Sequence, residues 1–137
     1  MKKVLLIILL ASLALPAQAK KLHKEKYYQD IWCTANNGVA EYVLEDNTRV
    51  DCLTQSEAVE FDFANKWAEC IGQAIYNGLM TNRTASCALI MENPERDEKY
   101  LKRLEKVAEP FNIKIYQIKN PDEQGWKRFY CFDFDLK

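Results

Sequence analysis

The chain predicts an α/β (α+β) fold in which a mixed central sheet carries helices on both faces, and three observations predict it. Apolar residues alternate between the two-residue period of strands and the 3.6-residue period of helices. Two strand-like runs flank a short polar turn, and a later run is apolar without alternation, as a strand covered on both faces must be. The expected order is α-β-β-β-α-β-α-β in a single domain.

Each element follows from its residues. Between His23 and Ala35, Tyr27 and Ile31, joined by Tyr28 and Trp32, form an apolar stripe at helical spacing, which Asn36-Asn37-Gly38 ends. Val39 to Leu44 and Thr48 to Leu53 read as strands joined by a hairpin turn at Glu45-Asp46-Asn47. After Thr54-Gln55-Ser56, the run Ala58 to Phe63 alternates apolar and acidic residues and reads as a third strand. From Ala64 to Leu79 or Met80 the period is helical, with Trp67, Ile71 and Leu79 on one side. Ser86 to Met91 is the unbroken apolar strand. Pro94 opens a helix carrying Tyr100, Leu101, Leu104, Val107 and Ala108, Pro110 stops it, and Ile113 to Ile118 is a further strand. Aromatic residues of the tail, Trp126, Phe129, Tyr130, Phe132 and Phe134, read as core, as an edge strand or as an interface.

The first 19 residues read as a secretory signal peptide of bacterial type. Lys2 and Lys3 precede an apolar run from Val4 to Leu15, too short to span a bilayer, and Pro16 and Ala17-Gln18-Ala19 supply a cleavage site. A periplasmic or secreted location is therefore expected, with the single domain over residues 20–137. Removing 19 residues from 137 leaves 118, enough to bury one core. That chain carries 17 basic residues (19 less Lys2 and Lys3) against 20 acidic ones, a net charge of −3, so no global field draws it to nucleic acid. Basic residues do gather locally in Lys20-Lys21-Leu22-His23-Lys24-Glu25-Lys26, where a solvated terminal run is the ordinary explanation.

Five cysteines, Cys33, Cys52, Cys70, Cys87 and Cys131, allow at most two internal bridges in an oxidising compartment, with fifteen possible two-bridge pairings. Cys33 ends the first helix and Cys52 points to the face on which that helix packs. A bridge between them closes a loop of roughly 20 residues and contributes about 3 kcal/mol. The alternative is two buried thiols, which an oxidising compartment disfavours. Cys70 and Cys87 are expected simply to pack. The lone histidine, His23, and the lack of any Cys-x-x-Cys spacing argue against structural zinc.

Strand alternation sorts the middle of the chain. Val50 and Cys52 fall on one face and Asp51 on the other; Val59, Phe61 and Phe63 share a face opposite Glu60 and Asp62. Pairing the two strands buries Val50, Cys52, Val59 and Phe61 together and gathers Asp51, Glu60 and Asp62 opposite. Converging carboxylates repel, and a bound cation is one way to keep them together; oxygen donors suit magnesium or manganese. A solvated strand face is the ordinary alternative. Lys66, Glu69, Gln73 and Tyr76 form a polar stripe on the next helix that can overlook the same place.

These residues resemble the PD-(D/E)XK, or restriction-endonuclease-like, nuclease superfamily, whose core is a helix, a three-stranded meander, a helix and a further strand. Asp51 matches the first acid of that motif and Glu60 the second. Gln73-Ala74-Ile75-Tyr76 is similar to the Q-x-x-x-Y element of the RecB-type branch, one residue shorter. The resemblance implies metal ligation by Asp51 and Glu60 and hydrolysis of phosphodiesters. Asp62 stands where the water-orienting lysine belongs, which leaves that role to Lys66, with Gln73 as a positioning residue. Two functions are expected: a Mg- or Mn-dependent phosphodiesterase acting on nucleic acid, or a non-catalytic module of the same descent that binds an envelope protein.

Overall fold

The structure is a computed structural model that describes residues 20–119 and the backbone of 130–132. The predicted leader and Trp126, Phe129 and Phe134 of the tail lie outside the described residues. The elements run α1 (Glu25–Ala35), β1 (Val39–Val43), β2 (Arg49–Leu53), β3 (Glu57–Phe63), a 3-10 turn (Ala64–Lys66), α2 (Trp67–Thr81), β4 (Thr84–Ile90), α3 (Pro94–Ala108), a second 3-10 turn (Glu109–Phe111), β5 (Lys114–Ile118) and β6 (Tyr130–Phe132). The fold is α+β, and the six strands lie in chain order across one mixed sheet. β1, β2 and β3 form an antiparallel meander, β3, β4 and β5 are parallel, and β6 pairs antiparallel with β5.

Topology places the helices. The two parallel crossovers through α2 and α3 advance in the same direction, so crossovers of one hand set both helices on one face. There Cys70, Ile71 and Ala74 of α2 and Leu101, Leu104 and Ala108 of α3 pack on Cys87, Leu89 and Ile115. On the other face, Tyr28, Trp32 and Cys33 of α1 pack on Cys52, Val59, Phe61, Ala88, Ile90 and Tyr116. β4 thus sends alternate residues into two cores, which is why its sequence is apolar without a period.

Local chemistry sets the ends of these elements. Asn93 caps α3, its side chain accepting the Arg96 N–H at 3.0 Å, with Pro94 in the first turn. Asn37, Asn47, Asn82 and Asn112 all take positive φ, the conformation asparagine tolerates best after glycine, at the turns that leave α1, the hairpin, α2 and the second 3-10 turn. Gly38 has a steric reason: a Cβ there would lie 2.4 Å from Cys52 Sγ and 2.7 Å from Cys33 Sγ.

Those two sulfurs form the expected bridge, with Cα atoms 5.7 Å apart, tying α1 to β2. Cys70 and Cys87 do not simply pack. They form a second disulfide, with Cα atoms 5.9 Å apart, tying α2 to β4. Both residues face the same core from elements adjacent in space, and that closeness is invisible in their spacing along the chain. The two disulfides fit an oxidising compartment. Among the described residues, no helix is long and apolar enough to cross a membrane.

Candidate active site

β2 and β3 begin as a regular pair, Leu53 opposite Ala58 and Cys52 opposite Val59, and the ladder stops there. One residue further, the Asp51 side chain replaces a backbone acceptor: its Oδ2 accepts the Phe61 N–H at 2.8 Å. The Asp51 N–H points to Glu60 Oε1 at 3.5 Å. The strands therefore part at Asp51, and carboxylates fill the seam.

This departure corrects the expected alternation. Cys52, Val59, Phe61 and Phe63 do share the α1 face, but Val50 packs with Leu44, Leu53 and Ala58 in a separate cluster. Val50 and Leu53 are three residues apart, a spacing that regular pleating would put on opposite faces. The break coincides with the residue whose side chain has entered the ladder.

Glu60 and Asp62 are 2% and 4% exposed, so they do not form a solvated strand face. The Asn77 amide of α2 donates to Glu60 Oε1. Asp62 Oδ1 is 3.6 Å from Lys66 Nζ, which also lies 3.4 Å from Glu69 Oε2. Glu25, the first residue of α1, is a further acidic neighbour of Asp62. Behind the strand, Cys70 Sγ lies 3.5 Å from the Glu60 carbonyl oxygen, so the second disulfide backs the site.

Glu41 adds strain and charge. It holds φ at 55°, a conformation unfavourable for a glutamate by about 1–2 kcal/mol. Its carboxylate accepts from Gln29 Nε2 at 2.8 Å, while the same amide donates to the Asp51 carbonyl at 2.6 Å.

Burial with like charges as neighbours raises the pKa of Asp51, Glu60, Asp62 and Glu25. Asp51 is pushed up to about 6 by burial, opposed by the Phe61 N–H and assisted by the charges of Glu41 and Asp62. Glu60 rises to about 8, from burial and then the Asp51 charge. Asp62 rises to about 7, from burial and then Glu25, with Lys66 opposing. Glu25 is raised as well, by burial and then Asp51. The Lys66 ammonium is held firmly protonated, chiefly by Asp62. Near neutral pH Glu60 and Asp62 hold protons that an approaching cation would displace.

Of the residues singled out from the sequence, Asp51, Glu60, Asp62 and Lys66 come together. Gln73 does not join them: it is exposed on α2, and Asn77, one turn later, makes the contact to Glu60. The Tyr76 hydroxyl donates to Asp46 in the β1–β2 turn, away from the carboxylates. Asn77, Glu25 and Glu41 escaped the sequence reading. Asn77 left a trace, a polar residue in the stripe Cys70, Ala74, Asn77 that the helix otherwise fills with small apolar side chains.

Among the described residues, no three or more His, Cys, Asp or Glu side chains form a ready metal-holding group. A hard cation such as magnesium needs fewer: it is commonly held by one or two carboxylates, waters and substrate phosphate. Asp51 and Glu60 offer oxygen donors on neighbouring strands, each with one carboxylate oxygen bonded to a protein N–H group. Comparison of the chain with known protein families, with curated proteins and with solved structures finds no match.

Proposed function

We propose that this domain is a Mg- or Mn-dependent phosphodiesterase acting on nucleic acid, with a restriction-endonuclease-like core. One observation carries the reading: Asp51, Glu60 and Asp62 are gathered, proton-hungry and largely buried, where β2 and β3 part, with the Lys66 ammonium on Asp62. A fold that only needed stability would not keep such a cluster, because each buried carboxylate without a cationic partner costs free energy.

In this reading Asp51 and Glu60 hold the ion, which when bound supplies charge for the phosphate and acidity for a water. Asn77 fixes the Glu60 carboxylate. The Gln29 amide anchors the Asp51 backbone against α1. Lys66, tethered to Asp62, takes the place of the lysine that the motif lacks at position 62, and contacts the phosphate or orients the water.

The deciding experiment incubates the chain from Lys20 onward with labelled single- and double-stranded DNA and RNA in Mg²⁺ or Mn²⁺, beside Glu60→Gln and Asp51→Asn. Cleavage by the wild type and its loss in both variants is expected. Equal cleavage in all three, or none in any, overturns the reading. The oxygens that Asp51 and Glu60 already spend on protein N–H groups favour a second reading, a non-catalytic module that binds an envelope protein. Crosslinking to a partner together with absence of cleavage is its expected outcome.

A further inference from the structure

Beside the carboxylates lies a cleft of about 290 Å³ whose walls include Lys21, Phe63, Lys66, Arg96 and Tyr100. It opens beyond Phe63 and Ile90, at the carboxyl ends of the parallel strands β3 and β4, where open sheets with crossover helices form their ligand crevices. Lys66 belongs to both places: it lines the cleft and sits 3.6 Å from Asp62.

Three cationic side chains reach this cleft in a chain whose net charge is negative. Lys21, Lys66 and Arg96 line it with two carboxylates, Glu92 and Asp97; both acids are bonded within the protein, and so are two of the cations, Arg96 to Asp97 and Lys66 to Asp62 and Glu69. Glu92 Oε1 accepts the N–H groups of Leu22 and His23, at 2.9 and 3.2 Å, and the Tyr28 hydroxyl at 2.9 Å. Asp97 is gripped by Arg96 through Nε and Nη2, at 2.8 and 3.1 Å, and accepts the Asn93 N–H. Lys21 is held over the Phe63 ring, its Nζ 3.4 Å from the centroid, so the ring presents that ammonium to the cleft. Tyr100 sets a further aromatic ring in the wall.

We propose that this cleft binds single-stranded nucleic acid, Lys21 and Arg96 taking the phosphate next to the one at Lys66 and Tyr100 stacking on a base; the inference rests on the phosphodiesterase reading for what happens to the strand. The cleft has room for one nucleotide unit, and a duplex is a rigid rod whose paired bases cannot splay onto an aromatic wall. The net charge is −1 over the full sequence, so no overall positive field draws in a duplex.

The test separates binding from cleavage. Fluorescence anisotropy in EDTA is read with a short labelled single-stranded DNA and with its duplex. The single strand should bind about tenfold more tightly than the duplex. Lys21→Glu, an exposed change that leaves the fold alone, should weaken it about tenfold, and Lys21→Gln and Arg96→Gln should each lower the log–log salt slope by about 0.7. Tyr100→Ala should weaken binding about tenfold through lost stacking. Equal affinity for the duplex, or unchanged binding and salt slope in the Lys21 variants, overturns the proposal. Cleavage that Glu60→Gln abolishes while Lys21→Glu leaves KM unchanged overturns the cleft and spares the phosphodiesterase. Lys21-dependent binding with no cleavage in Mg²⁺ or Mn²⁺ overturns the phosphodiesterase and leaves the cleft standing.

Discussion

The two ends of β3 bury acids under opposite rules. At its start, Glu57 is 7% exposed and accepts from Ser86 Oγ at 2.7 Å, Lys114 Nζ at 2.9 Å and the Tyr116 hydroxyl at 2.7 Å. Burial raises its pKa, but those three donors outweigh burial and leave it below the ordinary value. Three residues on, Glu60 is at least as deeply buried, has the Asn77 amide, a long contact from the Asp51 N–H and a neighbouring carboxylate, and rises to about 8. Burial alone therefore does not mark a working acid. The company it keeps differs: Glu57 is a charge the fold has neutralised with Lys114, whereas Glu60 has no cationic partner, and the proposed metal role rests on that difference.

The largest effect that would break this contrast is on chemistry. Glu60→Gln should cut metal-dependent cleavage by at least about a thousandfold, or 4 kcal/mol of transition-state stabilisation. Glu57→Gln should leave kcat within a few fold in folded protein. Comparable losses in both variants would erase the distinction.

The next effect is on stability. Glu57→Ala strands the Lys114, Ser86 and Tyr116 donors and should cost about 3 kcal/mol in denaturant unfolding. Glu60→Gln should instead stabilise the metal-free protein at pH 8, by about 1–2 kcal/mol, because it removes a carboxyl that burial and Asp51 disfavour when charged. A destabilised Glu60→Gln would mean that the carboxylate is a structural partner of Asn77.

The smallest effect follows the pH. Between about pH 4 and 8 the native state keeps protons on Asp51, Asp62 and Glu60 that the unfolded chain has released, so their contribution to stability is full at the acidic end and is lost as pH rises through about 6, 7 and 8. Glu57, lowered, has the opposite sign and loses its contribution as pH falls through the acid range. Thermal unfolding without divalent ions should therefore show Tm falling from pH 5 to pH 8, and Glu60→Gln should flatten the upper part of that slope. A wild-type Tm that rises across the same interval would contradict the raised values.

Much of the fold was legible because its signals are local. The helix stop at Asn36-Asn37-Gly38, the hairpin turn at Asn47 and the capped start of α3 at Pro94 are chemistry confined to a few residues. The shared face of the acids was legible for a related reason, since Glu60 and Asp62 alternate with Val59, Phe61 and Phe63; that this face is buried was not, because a solvated strand face has the same alternation. Alternation failed at Val50, where the Asp51 side chain enters the ladder, since periodicity assumes that backbone bonds only to backbone. The helix stripe misled for Gln73, because a small rotation of α2 decides whether Gln73 or Asn77 meets the strand, and composition does not fix that rotation.

By itself the sequence determined which residues are helix and which are strand, which acids share a strand face, and that Cys33 and Cys52 lie within reach of each other. Those properties depend on residues close along the chain or on one short turn. Only the tertiary structure decided that Cys70 meets Cys87, that Glu25 and Glu41 join the acids, that Asn77 holds Glu60, and that Lys21 and Arg96 face one cleft. Each of these contacts joins separate elements, and their distances follow from how helices rotate and strands diverge as two cores close on one sheet.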